Sequence, residues 1–152
     1  MPEDLTLVDS LVQTSFLIQN AVRRVAAHHD LSVVQMRLLG ILRDREPGTL
    51  LLSRILELDK SSVTGLVDRA EKRGLVERVP DPDDGRAVRI KLTRDGRALV
   101  NKGAAEVEAE IETVAAGLTD PQRRQLAGLL SRIASPSPAG RPAVPGTGRS
   151  PS

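Results

Sequence analysis

Apolar positions along the chain follow helical periods, interrupted once by a pair of strand-like alternations. Val8, Leu11, Val12, Ser15, Ile18, Val22 and Val25 recur at helical spacing, which predicts a first helix over about residues 4–29, capped by Asp4 and apolar along one stripe. It should end near His28, His29 and Asp30. Ser32 with Gln35 then makes a capping box for a second helix, VVQMRLLGILRDR, whose Val34, Leu38, Leu39, Ile41 and Leu42 leave little polar face and place it in the core. EPGT is a turn signal, and Thr49 is placed to cap a short third helix, LLLSRILE. Asp59 caps a fourth. There Val63, Leu66, Val67 and Ala70 fall at i, i+3, i+4 and i+7 and mark the inner face, so Lys60, Ser61, Ser62, Thr64, Gly65, Asp68, Arg69 and Lys72 stay outside. Gly74 is a natural stop.

The period then changes. LVERV and VRIKL alternate with period two around the turn-rich PDPDDGRA, so residues 75–92 read as a β-hairpin with a long tip. Val88, Ile90 and Leu92 share one side of it, Arg89 and Lys91 the other. Thr93 caps a long helix to about Ala116, marked by Val100, Val107, Ile111, Val114 and Leu118. Thr119 and Gln122 form a second capping box, opening a last helix with Leu126, Leu129, Leu130 and Ile133. Residues 135–152 are rich in Pro, Gly and Ser, lack apolar periodicity and read as a disordered tail. The fold class is therefore mainly α with a small β-hairpin.

Composition narrows the function classes. A chain of 152 residues, 39% hydrophobic, supports one ordinary core. There is no cysteine, which removes disulfides, thiolate metal sites and thiol chemistry. The acidic N-terminus is unlike a secretory signal and no apolar run is long enough to cross a bilayer, so a soluble, cytoplasmic protein without a membrane partner is expected. The net charge is only +2, but residues 60–97 hold ten Lys and Arg against seven Asp and Glu, whereas residues 1–59 hold six against eight. Phe16 is the single aromatic residue, which excludes stacking platforms for unpaired bases and favours duplex DNA if nucleic acid is bound.

Two short helices joined by a tight turn and followed by a hairpin form a winged helix-turn-helix module, whose second helix fits the major groove. Lys60, Ser61, Ser62, Thr64 and Gly65 let the backbone of that helix approach base edges, and its free first-turn amides suit a phosphate. Arg69 and Lys72 reach phosphate or a guanine edge farther along; the plainer alternative is that these cations solvate an exposed helix and pair with Asp68 or Glu71. Arg86, just past Gly85 at the hairpin tip, is placed for the minor groove with Asp84 to brace it, and Arg89 and Arg94 for phosphate.

On these residues the chain resembles a known family. LDKSSVTGLVDRAEKRGLVERV and DPDDGRAVRIKLTRDG resemble the recognition helix and wing of the multiple-antibiotic-resistance regulator (MarR) family of bacterial transcription factors, with Asp84 and Arg86 as the Asp-x-Arg element and Leu92, Thr93 and Gly96 as the wing exit. The resemblance is strongest over residues 31–97 and extends over about 5–134. It implies a domain over 1–134 with the helix-turn-helix at about 49–73, the wing at about 75–92 and dimerisation helices at about 4–29 and 94–134. It further implies a homodimer on a pseudo-palindromic operator, acting as a repressor and released by a small aromatic or phenolic effector. Phe16, His28, Met36 and Arg37 are the candidate pocket walls, with core packing as the alternative for Phe16 and Met36. Two departures stand out: Glu57 where the family usually has glycine, costing about 1 kcal/mol if that residue is left-handed, and Leu51 and Ser53 in the preceding helix.

No cofactor is expected, and no enzyme. The serines have neither a nucleophile-elbow motif nor a nearby base, and no phosphate-binding glycine loop is present. A metal site is not expected either, because His28 and His29 are adjacent and should point in different directions, with no cysteine or third histidine to complete a set. Two other classes stay open: a winged-helix module that binds an acidic protein, and a constitutive DNA-organising protein without an effector.

Overall fold

The computed structural model describes residues 4–135, so the expected tail lies, beyond Ser135, outside the described residues. The elements run α1 (Leu7–His28), α2 (Val33–Leu42), α3 (Thr49–Leu56), α4 (Lys60–Lys72), β1 (Val76–Pro80), β2 (Val88–Leu92), α5 (Arg94–Val114) and α6 (Asp120–Ala134). They fall into two units, one ending at Val114 and one beginning at Ala115. No described helix is long and apolar enough to cross a membrane.

In the first unit α2 is the central helix. Leu38, Leu39 and Leu42 are fully buried with Leu52 of α3, Val63 and Val67 of α4, Val76 of β1 and Ile90 of β2. Each such aliphatic side chain contributes on the order of 1.5–3 kcal/mol by leaving water, and together they hold the short helices at the angle their turns permit. Val34, expected in this core, is instead 41% exposed. It shares the i, i+4, i+8 stripe of Leu38 and Leu42 and stays open because it sits in the first turn of α2, one turn before the core covers that stripe.

The helix starts follow local hydrogen bonding. Ser32 and Gln35 close their capping box, as do Thr119 and Gln122 in the second unit. Asp4 does not cap α1; Thr6 does, its hydroxyl accepting the Asp9 N–H at 3.1 Å and donating to the Asp9 carboxylate at 2.5 Å. Thr49 does not cap α3 either, because Gly48 takes the cap position and its carbonyl receives the Leu52 N–H at 3.2 Å. Between α3 and α4, Glu57 is left-handed at φ 54°, ψ 43°. Ser53 closes that turn by donating its hydroxyl to the Leu58 carbonyl, which gives this departure from the family pattern a structural role.

The hairpin pairs Val76 with Leu92 and Pro80 with Val88 in antiparallel register, and the Ile90 N–H reaches across to the Pro47 carbonyl at 2.9 Å. Gly74, at φ 70°, ends α4 and turns the chain into β1. The apolar stripe of α1 is covered only in its second half: Ala21, Val25 and Ala26 are buried, while Val8, Leu11 and Val12 remain exposed. In the second unit α6 buries no residue, and Leu126, Leu129, Leu130 and Ile133 face solvent.

Candidate nucleic-acid interface

Asp59 occupies the N-cap position of α4, and its carboxylate accepts the Ser61 hydroxyl at 2.6 Å. Hydrogen bonds from the Ser61 and Ser62 side chains hold that carboxyl below the usual aspartate range. Val63, Leu66, Val67 and Ala70 are buried, so Lys60, Ser61, Ser62, Thr64, Arg69 and Lys72 are exposed on the other face and Gly65 is half-buried. The Thr64 hydroxyl donates back to the Lys60 carbonyl at 2.9 Å. Gly65 makes room for a guanidinium: a Cβ there would lie 3.3 Å from a terminal nitrogen of Arg69.

Asp68 and Glu71 interrupt this face with negative charge, yet neither pairs with Arg69 or Lys72. Both are bound by Arg78 of β1, which donates to Asp68 at 2.6 Å and also to Glu71. The two carboxylates raise the Arg78 pKa, the hydrogen bond to Asp68 contributing most. One strand arginine thus offsets the helix's acids, and Lys60, Arg69 and Lys72 form no ion pair among the described residues. Sequence reasoning missed Arg78. Its only signal was its place on the alternating strand directly after the helix.

At the wing tip Arg86 is exposed and its guanidinium has no ion-pair partner among the described residues. Asp84 contacts it through the backbone, its carboxylate accepting the Arg86 N–H at 3.1 Å. Arg89 departs further from expectation. Its Nε donates to Asp81 at 2.9 Å and it lies 3.8 Å from Asp83, so it staples the loop after β1 to β2. Asp81 also accepts the Asp83 and Asp84 amides, and the Asp83 amide and Arg89 depress its pKa. Arg94 opens α5, exposed and without an ion pair among the described residues.

The chain has recognisable relatives. A family model described as MarR family matches residues 29–87. The HTH-type transcriptional regulator PecS of Dickeya dadantii (strain 3937) is 30% identical over 135 residues, 86% of this chain and 81% of that protein. The homoprotocatechuate degradative operon repressor of Escherichia coli is 28% identical over 96% of this chain and 98% of its own. This chain belongs to the MarR family. It is a winged-helix DNA-binding transcriptional regulator, and its relatives are regulators, not enzymes. Among solved structures, CouR from Rhodococcus jostii RHA1 bound to p-coumaroyl-CoA matches with TM-score 0.72 and 28% identity, covering 86% of this chain and 93% of that one. Wild-type apo MarR from E. coli shares the fold, with TM-score 0.74 at 24% identity, over 88% of this chain and 99% of that one.

The four effector candidates of this MarR-family chain do not share one cavity. Met36 and Arg37 line a cleft of about 430 Å³ between α1, α2 and α5, together with Ile18, Val22, Arg43 and Val107. Phe16 lies outside it and is 59% exposed, because it sits on the uncovered half of α1. Met36 is also part of the core, as the core-packing alternative expects. Arg37 donates to the Ile55 carbonyl at 3.1 Å, which ties the cleft wall to the end of α3.

His28 lines a different cleft with Arg24, Glu106 and Glu110. The expectation that His28 and His29 diverge is also corrected. His29 is the C-cap, at φ −102°, ψ 12°, so the turn from His28 to His29 is not a helical step and both rings reach Glu106. That contact, led by the His28 hydrogen bond, lowers the Glu106 pKa. Arg73, at the C-cap of α4, donates to the carbonyls of Asp30 and His29 at 2.7 and 3.1 Å and fastens this turn to the recognition helix.

Proposed function

We propose that the chain is a homodimeric repressor that binds a pseudo-palindromic duplex operator, with α4 in the major groove and Arg86 of the wing in the adjacent minor groove. The observation that carries the reading is the division of charge on α4: Arg78 engages both acids, leaving Lys60, Arg69 and Lys72 unpaired beside Ser61, Ser62 and Thr64. Such a face offers phosphate contacts for affinity and short polar groups for base edges. Arg94 adds a phosphate contact at the wing exit. Arg89, held by Asp81, serves to keep the wing in shape.

Dimerisation is supported by the exposed apolar residues of α1 and of α6, which a single chain leaves in water. A two-fold axis would space the half-sites by about 34 Å. The apolar cleft with Arg37 and Arg43 at its wall suits a small aromatic or phenolic acid, and release follows if that ligand binds the non-DNA-binding form more tightly.

The test is fluorescence anisotropy on DNA from upstream of the protein's own gene, across a salt series. Expected are a steep fall of log affinity with log salt and a loss for Arg86→Ala on the order of 1–3 kcal/mol, roughly 5- to 150-fold. Equal affinity for any acidic polymer, unchanged by that substitution, would replace the reading with a protein-interaction module.

A further inference from the structure

Outside the DNA-binding face, the chain brings its only two histidines onto one carboxylate. His28 Nδ1 lies 3.0 Å from Glu106 Oε2, and His29 Nε2 lies 3.2 and 3.1 Å from Glu106 Oε1 and Oε2. One ligand atom from each residue can be chosen so that all three lie within 4.8 Å of one another. The rings do not stack: their centroids are 5.1 Å apart and their planes are tilted by 51°, so each turns a nitrogen toward the same point. Residues 77 and 78 positions apart meet here, from the end of α1 and the middle of α5.

The dimensions suit a small cation. With metal–nitrogen and metal–oxygen bonds of about 2.0–2.2 Å, ligand atoms of a tetrahedral site stand roughly 3.3–3.5 Å apart. The separations here are 3.0–3.2 Å along the two edges that share Glu106, and the histidine–histidine edge lies within 4.8 Å, so seating an ion slightly lengthens the two short edges and turns the rings toward each other. Two imidazoles and one carboxylate favour ions of the zinc class over calcium or magnesium, which take shells of oxygen. Burial is graded: the side chain of His29 is 11% exposed, Glu106 27% and His28 70%, so the site has a sheltered floor and an open mouth. The mouth faces the cleft lined by Arg24 and Glu110. Those two pair at 2.5 Å, so the cation of that cleft is already balanced by a carboxylate other than Glu106.

We propose that His28, His29 and Glu106 form a binding site for one divalent transition ion of the zinc class, leaving a fourth position for water or an exogenous ligand. The composition makes the test clean, because the chain offers no cysteine and no other histidine. Full-length protein without an affinity tag, stripped with chelator, is titrated with Co(II) and read by visible absorption, and then with Zn(II) in competition. Expected are one Co(II) per chain, a ligand-field band that Zn(II) abolishes, and affinity lowered roughly tenfold or more in His29→Gln and in Glu106→Gln. Circular dichroism checks the fold of each variant. Should either variant unfold, proton NMR of the unaltered protein decides, since both histidine rings should shift or broaden together up to one equivalent of Co(II). Absence of the band, unchanged affinity in folded variants, or histidine signals that respond separately or not at all would overturn the site.

Discussion

Gly96 offers the sharpest test of how the wing is fixed. It lies in the first turn of α5, where a Cβ would stand 1.9 Å from the Leu75 carbonyl oxygen and 2.8 Å from its carbon. Ordinary carbon–oxygen contact begins at about 3.3 Å, so Gly96→Ala forces a retreat of more than an ångström against backbone, which cannot swing aside. The same oxygen accepts the Thr93 N–H at 3.1 Å, and the Thr93 hydroxyl donates to Gly74 at 2.6 Å while accepting the Gly96 N–H at 3.0 Å. Overpacking costs about 1–3 kcal/mol and each weakened hydrogen bond about 1 kcal/mol, while alanine returns about 1 kcal/mol of helix propensity. The net expectation is a loss on the order of 2–3 kcal/mol, read from the midpoint of a urea melt at constant slope. Gly103 on the same helix is the control: its Cβ would press on the end of the Met36 side chain, at 3.1 Å, which can move, and would meet Val25 at an ordinary 4.0 Å. Gly103→Ala should therefore change stability by less than about 1 kcal/mol. Equal effects at the two positions, or a gain at Gly96, would refute the account.

Three further outcomes follow from the same geometry. Glu57→Gly relieves a left-handed residue worth about 1–2 kcal/mol against about 0.5–1 kcal/mol of glycine entropy, so a urea melt should show a gain of up to about 1 kcal/mol; a loss would mean the Glu57 side chain holds the turn. Arg78→Ala unmasks Asp68 and Glu71 beside the cations of α4, so anisotropy should show operator affinity falling about tenfold or more while stability changes by less than about 1 kcal/mol. Unchanged DNA affinity would show that these acids face away from the phosphates. For Asp81 the folded pKa is depressed, so its contribution to the wing is complete above the ordinary aspartate range and is lost as pH falls through the lowered folded value. A carboxyl chemical-shift titration should place its midpoint below that of an ordinary aspartate, and an ordinary midpoint would remove the Arg89 staple from the account.

What could be read in advance divides by the distance along the chain over which each feature is decided. Both capping boxes join residues three apart, Gly74 ends its helix by its own φ, and the hairpin alternation is a property of consecutive residues, so each was legible. Even the misplaced caps missed by only two residues at Asp4, where Thr6 competes for the same free amides, and by one at Thr49, where Gly48 takes the cap without a side-chain hydrogen bond. The ion pairs that shape the site span longer separations. Arg78 meets Asp68 across 10 positions, and His29 meets Glu106 across 77, and no period in the sequence names such partners. Apolar periodicity has a related limit: it marks a face that must be covered without saying by what. The α1 stripe illustrates this, since its second half is buried by its own chain while Val8, Val12 and Phe16 remain exposed on its first half. Only the buried half of the stripe is accounted for by this chain's own core; under the proposed homodimer, the exposed half is the face a second copy would cover.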